Sequence, residues 1–229
     1  MMKEKIASDI RIYKSEIPNI VGNVLPSSIN NKTLNVVLHR IMMKLRENEF
    51  SLGEFDHLYI NFTTCLDKGF MMPAKRGRDP HHPWYRYYDI GVDEAFYNEL
   101  DFEKSIESII LLVEKLLLQY FATDEATQEI VESSIKDAVS QKEDMLMRYK
   151  VKETVNRKAV LYLRYLDSGN YYPLLCVYDV EGNELLKKDL SVSSDLNPYG
   201  IICLSSKKVI IKQKSNAFTV ELKPISFDF

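Results

Sequence analysis

The chain is poor in the residues from which compact chemical sites are most often built. Of its 229 residues only four are histidine, three cysteine and one tryptophan. Cys65, Cys176 and Cys203 stand far apart in apolar surroundings without Cys-x-x-Cys spacing, which excludes a zinc ribbon or a disulfide framework and leaves buried reduced thiols. No HExxH or HxH sets two imidazoles on one metal. The adjacent His81 and His82, with Asp79 and Asp89 nearby, cannot easily turn both rings toward one ion from an extended chain. His57 and Cys65 share a strand-like segment but stand too far apart along it to act as base and nucleophile. G-x-S-x-G, phosphate-loop and dinucleotide fingerprints are also lacking. No metal and no cofactor are therefore expected, and an enzyme of unrecognised type, hydrolase or nuclease-like, stands only as the alternative to a binding protein.

Long apolar runs are missing too. The first residues, MMKEKIASDIRIYKSEIP, contain no uninterrupted hydrophobic core of a secretory signal, and no segment is apolar enough to span a bilayer. The expected location is cytoplasmic, with no membrane partner. Hydrophobic residues make up 45% and charged residues 28%, an ordinary globular balance that supports one large or two small cores.

What the sequence does carry is a strong helical signal from Asp101 to Phe121. Phe102, Ile106, Ile109, Ile110, Val113, Leu116, Leu117 and Tyr120 recur at three-four spacing, widened by Leu111, Leu112 and Leu118. The pattern predicts a largely buried helix with Asp101 as N-cap and Glu103 at the positive end of its dipole. An earlier amphipathic helix begins near Ile29 and faces inward with Leu34, Val37, Leu38, Ile41, Met42 and Leu45. Residues 1–26 read as a short strand or helix followed by a loop. A third helix, capped by Thr123 or Asp124, buries Ala126, Ile130, Val131, Ile135, Ala138 and Val139 and turns Glu125, Glu129 and Glu132 outward.

Two strand signals lie between the first and second of these helices. Phe55 to Thr64 alternates, with Leu58, Ile60 and Phe62 on one face and His57, Tyr59, Asn61 and Thr63 on the other. Trp84 to Val92 places Trp84, Arg86 and Tyr88 on one face and Tyr85, Tyr87 and Asp89 on the other. An antiparallel pair is expected, joined by the Gly- and Pro-rich loop 66–83. A short helix presenting Asp93, Glu94 and Glu99 follows. From Met147 the period becomes two, and seven short segments separated by turn residues predict an antiparallel meander, either a curved sheet or a small sandwich. The fold class is thus α+β: N-terminal helices over a small antiparallel sheet (1–146), then a β-rich domain (147–229).

Charge is uneven along the chain. Between Asp89 and Asp144 fifteen acids face four bases, a balance of −11, while each flank carries +4. Such a field repels phosphate and favours a basic partner. Lys75, Arg76 and Arg78 beside His81, His82 and Trp84 have the composition of a nucleic-acid contact, but the adjoining acidic segment opposes it, so no nucleic acid is expected. The run FDHLYINFTT, the Gly- and Pro-rich loop, then HPWYRYYDIGV and an acidic helix, roughly Phe55 to Tyr120, resembles immunity proteins of bacterial polymorphic toxin systems. That resemblance implies a stoichiometric inhibitor whose partner is a cognate toxin protein. The residues' own chemistry makes Trp84, Tyr85 and Tyr87 the aromatic anchors of partner binding and Asp93, Glu94 and Glu99 its charged rim.

Overall fold

The computed structural model describes residues 4–16, 27–75, 81–214 and 222–229. The expected loop over 17–26, together with Arg76, Arg78 and Asp79, lies outside them. The protein is mixed α+β and divides into two compact units, Met1–Lys142 and Glu143–Phe229, where the sequence reading set its boundary at 146.

In the first unit a strand precedes the first helix, which corrects the expected helix-first order. Strands β1 (Asp9–Lys14), β2 (Ser27–Ser28), β3 (His57–Thr63), β4 (Met71–Pro73) and β5 (Tyr85–Gly91) form one sheet in the order β2-β1-β3-β5-β4. Its three central strands are parallel: Asp9 lies opposite His57, and His57 opposite Tyr85. The expected antiparallel pairing of β3 with β5 is therefore wrong, and the sheet is mixed. The reason lies in the connection, which exceeds the dozen or so residues that a parallel crossover needs. The chain leaves β3, returns through β4 antiparallel to the outer side of β5, and then starts β5 from the same end as β3. Glycine at position 91 makes the turn possible. A Cβ there would stand 2.0 Å from the Asp67 carbonyl oxygen, so only glycine admits the loop backbone against the end of β5.

Helix α1 (Lys32–Glu47) is capped by Asn31, whose side chain accepts the Leu34 N–H at 3.0 Å. Its buried set, Leu34, Val36, Leu38, Ile41, Met42, Met43 and Leu45, is wider than one stripe, and Val37 is only half-buried. After α2 (Glu94–Glu99) a 3-10 turn, Glu103–Ser105, leads into α3 (Ile106–Tyr120). Asp101 is not the cap of that helix. Its carboxylate instead accepts the Asn30 N–H at 2.7 Å and pairs with Lys14, a charged and a backbone donor from other segments. Helix α3 buries Ile109, Ile110, Val113, Leu116 and Leu117, whereas Leu111 is 50% exposed. Helix α4 (Glu125–Gln141) begins with a reciprocal capping box between Asp124 and Thr127. It buries Val131, Ser134, Ile135 and Ala138, while Ala126 and Val139, expected inside, are exposed.

Among the described residues the strands of the second unit all pair antiparallel. Strands β6 (Met147–Glu153), β7 (Arg157–Tyr165), β8 (Tyr171–Asp179) and β9 (Glu184–Asp189) form a four-stranded meander. Strands β10 (Ile201–Leu204), β11 (Lys208–Lys212) and β12 (Ile225–Asp228) form a second, three-stranded sheet. One core joins the sheets: Ala159, Leu161, Leu175 and Val177 meet Ile202, Val209 and Ile211 around Tyr199 and Leu190. Of the two expected arrangements, the small sandwich is therefore the one formed. The segment 217–223, expected as the seventh strand, lies mostly outside the described residues, and the described third strand of that sheet is β12. Among the described residues no helix is long and apolar enough to cross a membrane.

Candidate functional site

The parallel registers decide which side chains share a face of the first sheet, because residues opposite one another in paired strands point the same way. One face carries Ile10, Ile12, Leu58, Ile60, Phe62, Tyr88 and Ile90. Helices pack there: Phe96 of α2 meets Phe62 at 6.5 Å between ring centres, and Tyr120 of α3 meets Tyr88 at 4.9 Å. On that side Arg86 lies over the Phe55 ring at 5.5 Å and pairs with Glu54. The other face is built in rows across β1, β3 and β5. The first row is Asp9, His57 and Tyr85; the second is Arg11, Tyr59 and Tyr87; the third is Tyr13, Asn61 and Asp89.

These rows form a tyrosine cluster turned away from α2 and α3. Tyr59 stands at its centre, 4.7 Å from Tyr85, 5.2 Å from Tyr87 and 5.6 Å from Tyr13. Tilted and edge-on geometries dominate, as the ring quadrupoles favour. His82 stacks on Tyr85 at 4.8 Å, and Trp84, just before β5, meets both edge-on. Tyr13 and Tyr59 are buried, while Trp84, Tyr85 and Tyr87 are half-buried and form the accessible part.

The cluster already holds one cation. The Arg11 guanidinium lies 5.6 Å from the centre of the Tyr59 ring while its Nε donates to Asp9 at 2.6 Å. Burial pushes the Tyr59 hydroxyl well above the ordinary phenol range, and a hydrogen bond with Tyr85 adds to the shift. Tyr13 is also raised by burial, with Arg11 opposing in part. Both phenols stay neutral at any physiological pH and act as π faces and hydroxyl donors. At the inner end of the face Asn61 Nδ2 donates to the buried Asp89 carboxylate at 2.9 Å.

The three acids singled out in the sequence lie elsewhere. Asp93 caps α2, accepting the Phe96 N–H at 2.8 Å and pairing with Lys68 at 2.7 Å. The Lys68 hydrogen bond first, and then that N–H, hold its carboxyl below the usual range. Glu94 is exposed in the first turn of α2, and Glu99 pairs with Lys104. Trp84 precedes β5 and Asp93 follows it, so the seven-residue strand between them sets the two groups roughly 20 Å apart. The fold thus brings Trp84, Tyr85 and Tyr87 together and leaves Asp93, Glu94 and Glu99 at the other end. Beside Asp93 a cleft of about 520 Å3 opens between the end of β5 and helices α2 and α3.

Sequence reasoning missed Tyr13, Tyr59 and Arg11 as members of the aromatic site. For Tyr59 the signal was present, since alternation puts it opposite the apolar face of β3. For Tyr13 and Arg11 it was not, because nothing local marks β1 as a parallel neighbour. Asp79, one of the residues beside the histidine pair, lies outside the described residues, and among those described no three His, Cys, Asp or Glu side chains gather as metal ligands. Compared with protein-family models, with curated proteins and with solved structures, the chain finds no match.

Proposed function

We propose that the chain is a binding protein that neutralises a basic bacterial toxin domain by stoichiometric association in the cytoplasm, as an immunity protein does. The observation that carries this reading is the tyrosine face of the first sheet. A rigid sheet presents half-buried Tyr85 and Tyr87 with Trp84 beside them, and large aromatics of this kind lose little conformational freedom on docking and dominate interface energies. Cation-bearing side chains of a basic partner suit the π surface that already accommodates Arg11. The exposed carboxylates of Glu94, Glu125, Glu129 and Glu132 supply long-range attraction that speeds encounter.

The test begins with a pull-down from the source cell and co-expression with the captured toxin domain, which should restore growth and yield a one-to-one complex. Surface plasmon resonance at two ionic strengths then separates the two groups of residues. Tyr85→Ala and Tyr87→Ala should each speed dissociation by roughly 30-fold, the equivalent of about 2 kcal/mol. Glu94→Lys with Glu99→Lys should slow association and flatten its salt dependence without changing dissociation; Asp93 is left intact because it caps α2. Wild-type dissociation in both tyrosine variants, or hydrolytic turnover by the purified chain, overturns the reading.

A further inference from the structure

The cleft beside Asp93 has walls of Val92, Phe96, Leu111 and Leu112, and Lys68 and Lys115 also line it. The two lysines differ. Lys68 is engaged by the Asp93 carboxylate at 2.7 Å. Lys115 is exposed, forms no ion pair among the described residues, and has Leu111 and Leu112, not carboxylates, one helical turn before it. In a stretch that carries −11, it is a cation set beside an apolar wall. Leu111 stands out on its helix. It is 50% exposed on a helix whose Ile109, Ile110 and Val113 are almost fully buried, and it forms part of the cleft wall.

We propose that this cleft binds a small carboxylate with an apolar body, its head on the Lys115 ammonium and its body against Val92, Phe96, Leu111 and Leu112. A volume of about 520 Å3 falls in the range of small-molecule sites, and burying a hydrocarbon body there covers the apolar wall that α3 leaves in water. The sign of the ligand follows from the charges. Both Asp93 oxygens are already engaged, one by Lys68 and one by the Phe96 N–H, so an amine would have to compete with Lys68 for that charge, whereas a carboxylate finds Lys115 without an ion pair among the described residues.

Octanoate and its neutral isostere octanamide, titrated into the isotope-labelled full chain, provide the test by NMR. Octanoate should produce saturable shifts at Val92, Phe96, Leu111 and Leu112, and octanamide should bind about tenfold more weakly for want of the charged contact. Lys115→Gln, at an exposed position that leaves the fold intact, should reduce octanoate to the level of octanamide while leaving octanamide unchanged. Leu111→Asp should weaken both. Equal binding of acid and amide, shifts that do not saturate or that scatter outside the cleft, or indifference of octanoate binding to Lys115→Gln would each overturn the assignment. A cleft in which Leu111→Asp abolishes only protein-partner binding, with octanoate causing no shift, belongs to that partner instead.

Discussion

In the first unit β1, β3 and β5 are neighbours in space although α1 and the long 64–84 connection separate them along the chain; in the second, β7, β8 and β9 each pair with the strand just before. Both arrangements use alternating side chains, yet alternation does different work in each. A hairpin fixes its own register through a short turn, so Tyr165 opposite Tyr171 follows from the turn at Leu166 to Asn170. A parallel sheet has no such turn. Its register depends on which faces the crossing helix can cover, and the apolar face of β3 and β5 goes under α2 and α3 while the tyrosine face is left opposite. The comparison teaches that a parallel sheet with its apolar face under helices can carry a chemically distinct set of side chains on the other, of which Trp84, Tyr85 and Tyr87 stay accessible, whereas the small sandwich closes its sheets on a shared core.

The contrast is broken or sharpened first by emptying each core. Phe62→Ala in the first unit and Leu161→Ala in the second, both fully buried, should each cost about 3–5 kcal/mol. Trp84 is the single tryptophan, so its fluorescence follows the first unit, while circular dichroism of the strands follows both. Phe62→Ala should shift the fluorescence midpoint and Leu161→Ala should leave it in place. Equal shifts from the two substitutions would show the units unfolding as one.

Close approaches come next. Gly91→Ala sets a methyl 2.0 Å from the Asp67 carbonyl, and Gly200→Ala sets one 2.2 Å from the Lys214 nitrogen. Backbone must move in both cases, for a loss of roughly 2–3 kcal/mol in denaturant titration. In the first unit the damage should also reach the cleft beside Val92; in the second it should stay at the junction of β10 and β11.

A smaller effect is expected at the cap of α1, the helix that crosses from β1 to β3. Asn31→Ala should cost about 1 kcal/mol, and Asn31→Asp should retain most of it. Indifference to the change would mean that α1 is held by packing alone.

The smallest effect is the dependence on mild acid. All four histidines belong to the first unit, and burial lowers the pKa of His39 below its ordinary value. A lowered folded-state pKa means that the unfolded chain takes up its proton first, so stability falls as pH drops through the unfolded value near 6.5 and levels off below the folded one. Trp84 fluorescence melts should show this slope, and His39→Gln should remove it. A slope of equal size in the second unit, which has no histidine, would assign it to other groups.

Much of this fold could be read locally. The apolar set of α1, the alternation of β3, the two faces of β5 and the turns of the meander are all encoded within a few residues of where they act. What escaped depended on distant partners. Asp101 has the composition of an N-cap, but Lys14 and the Asn30 N–H claim it, and neither is near in sequence. The parallel pairing of β3 with β5 escaped because the aromatic alternation of Trp84 to Val92 fits either direction. The candidate site was half visible for the same reason: Tyr85 and Tyr87 sit in a dense aromatic run, whereas Tyr13 is a lone tyrosine whose role appears only once β1 lies beside β3.

The insertion of β5 between β3 and β4 also governs the order in which a growing chain can be made safe. As synthesis proceeds, β3 emerges with one edge free, and β4 follows before β5, the strand it pairs with among the described residues, has been translated. Until β5 and the helices after it have left the ribosome, Leu58, Ile60 and Phe62 have β1 on one side but neither β5 on the other nor α2 and α3 over them. The nascent first half therefore passes through an interval with an open, apolar strand edge, the state most exposed to chaperones and to pairing with a neighbouring chain.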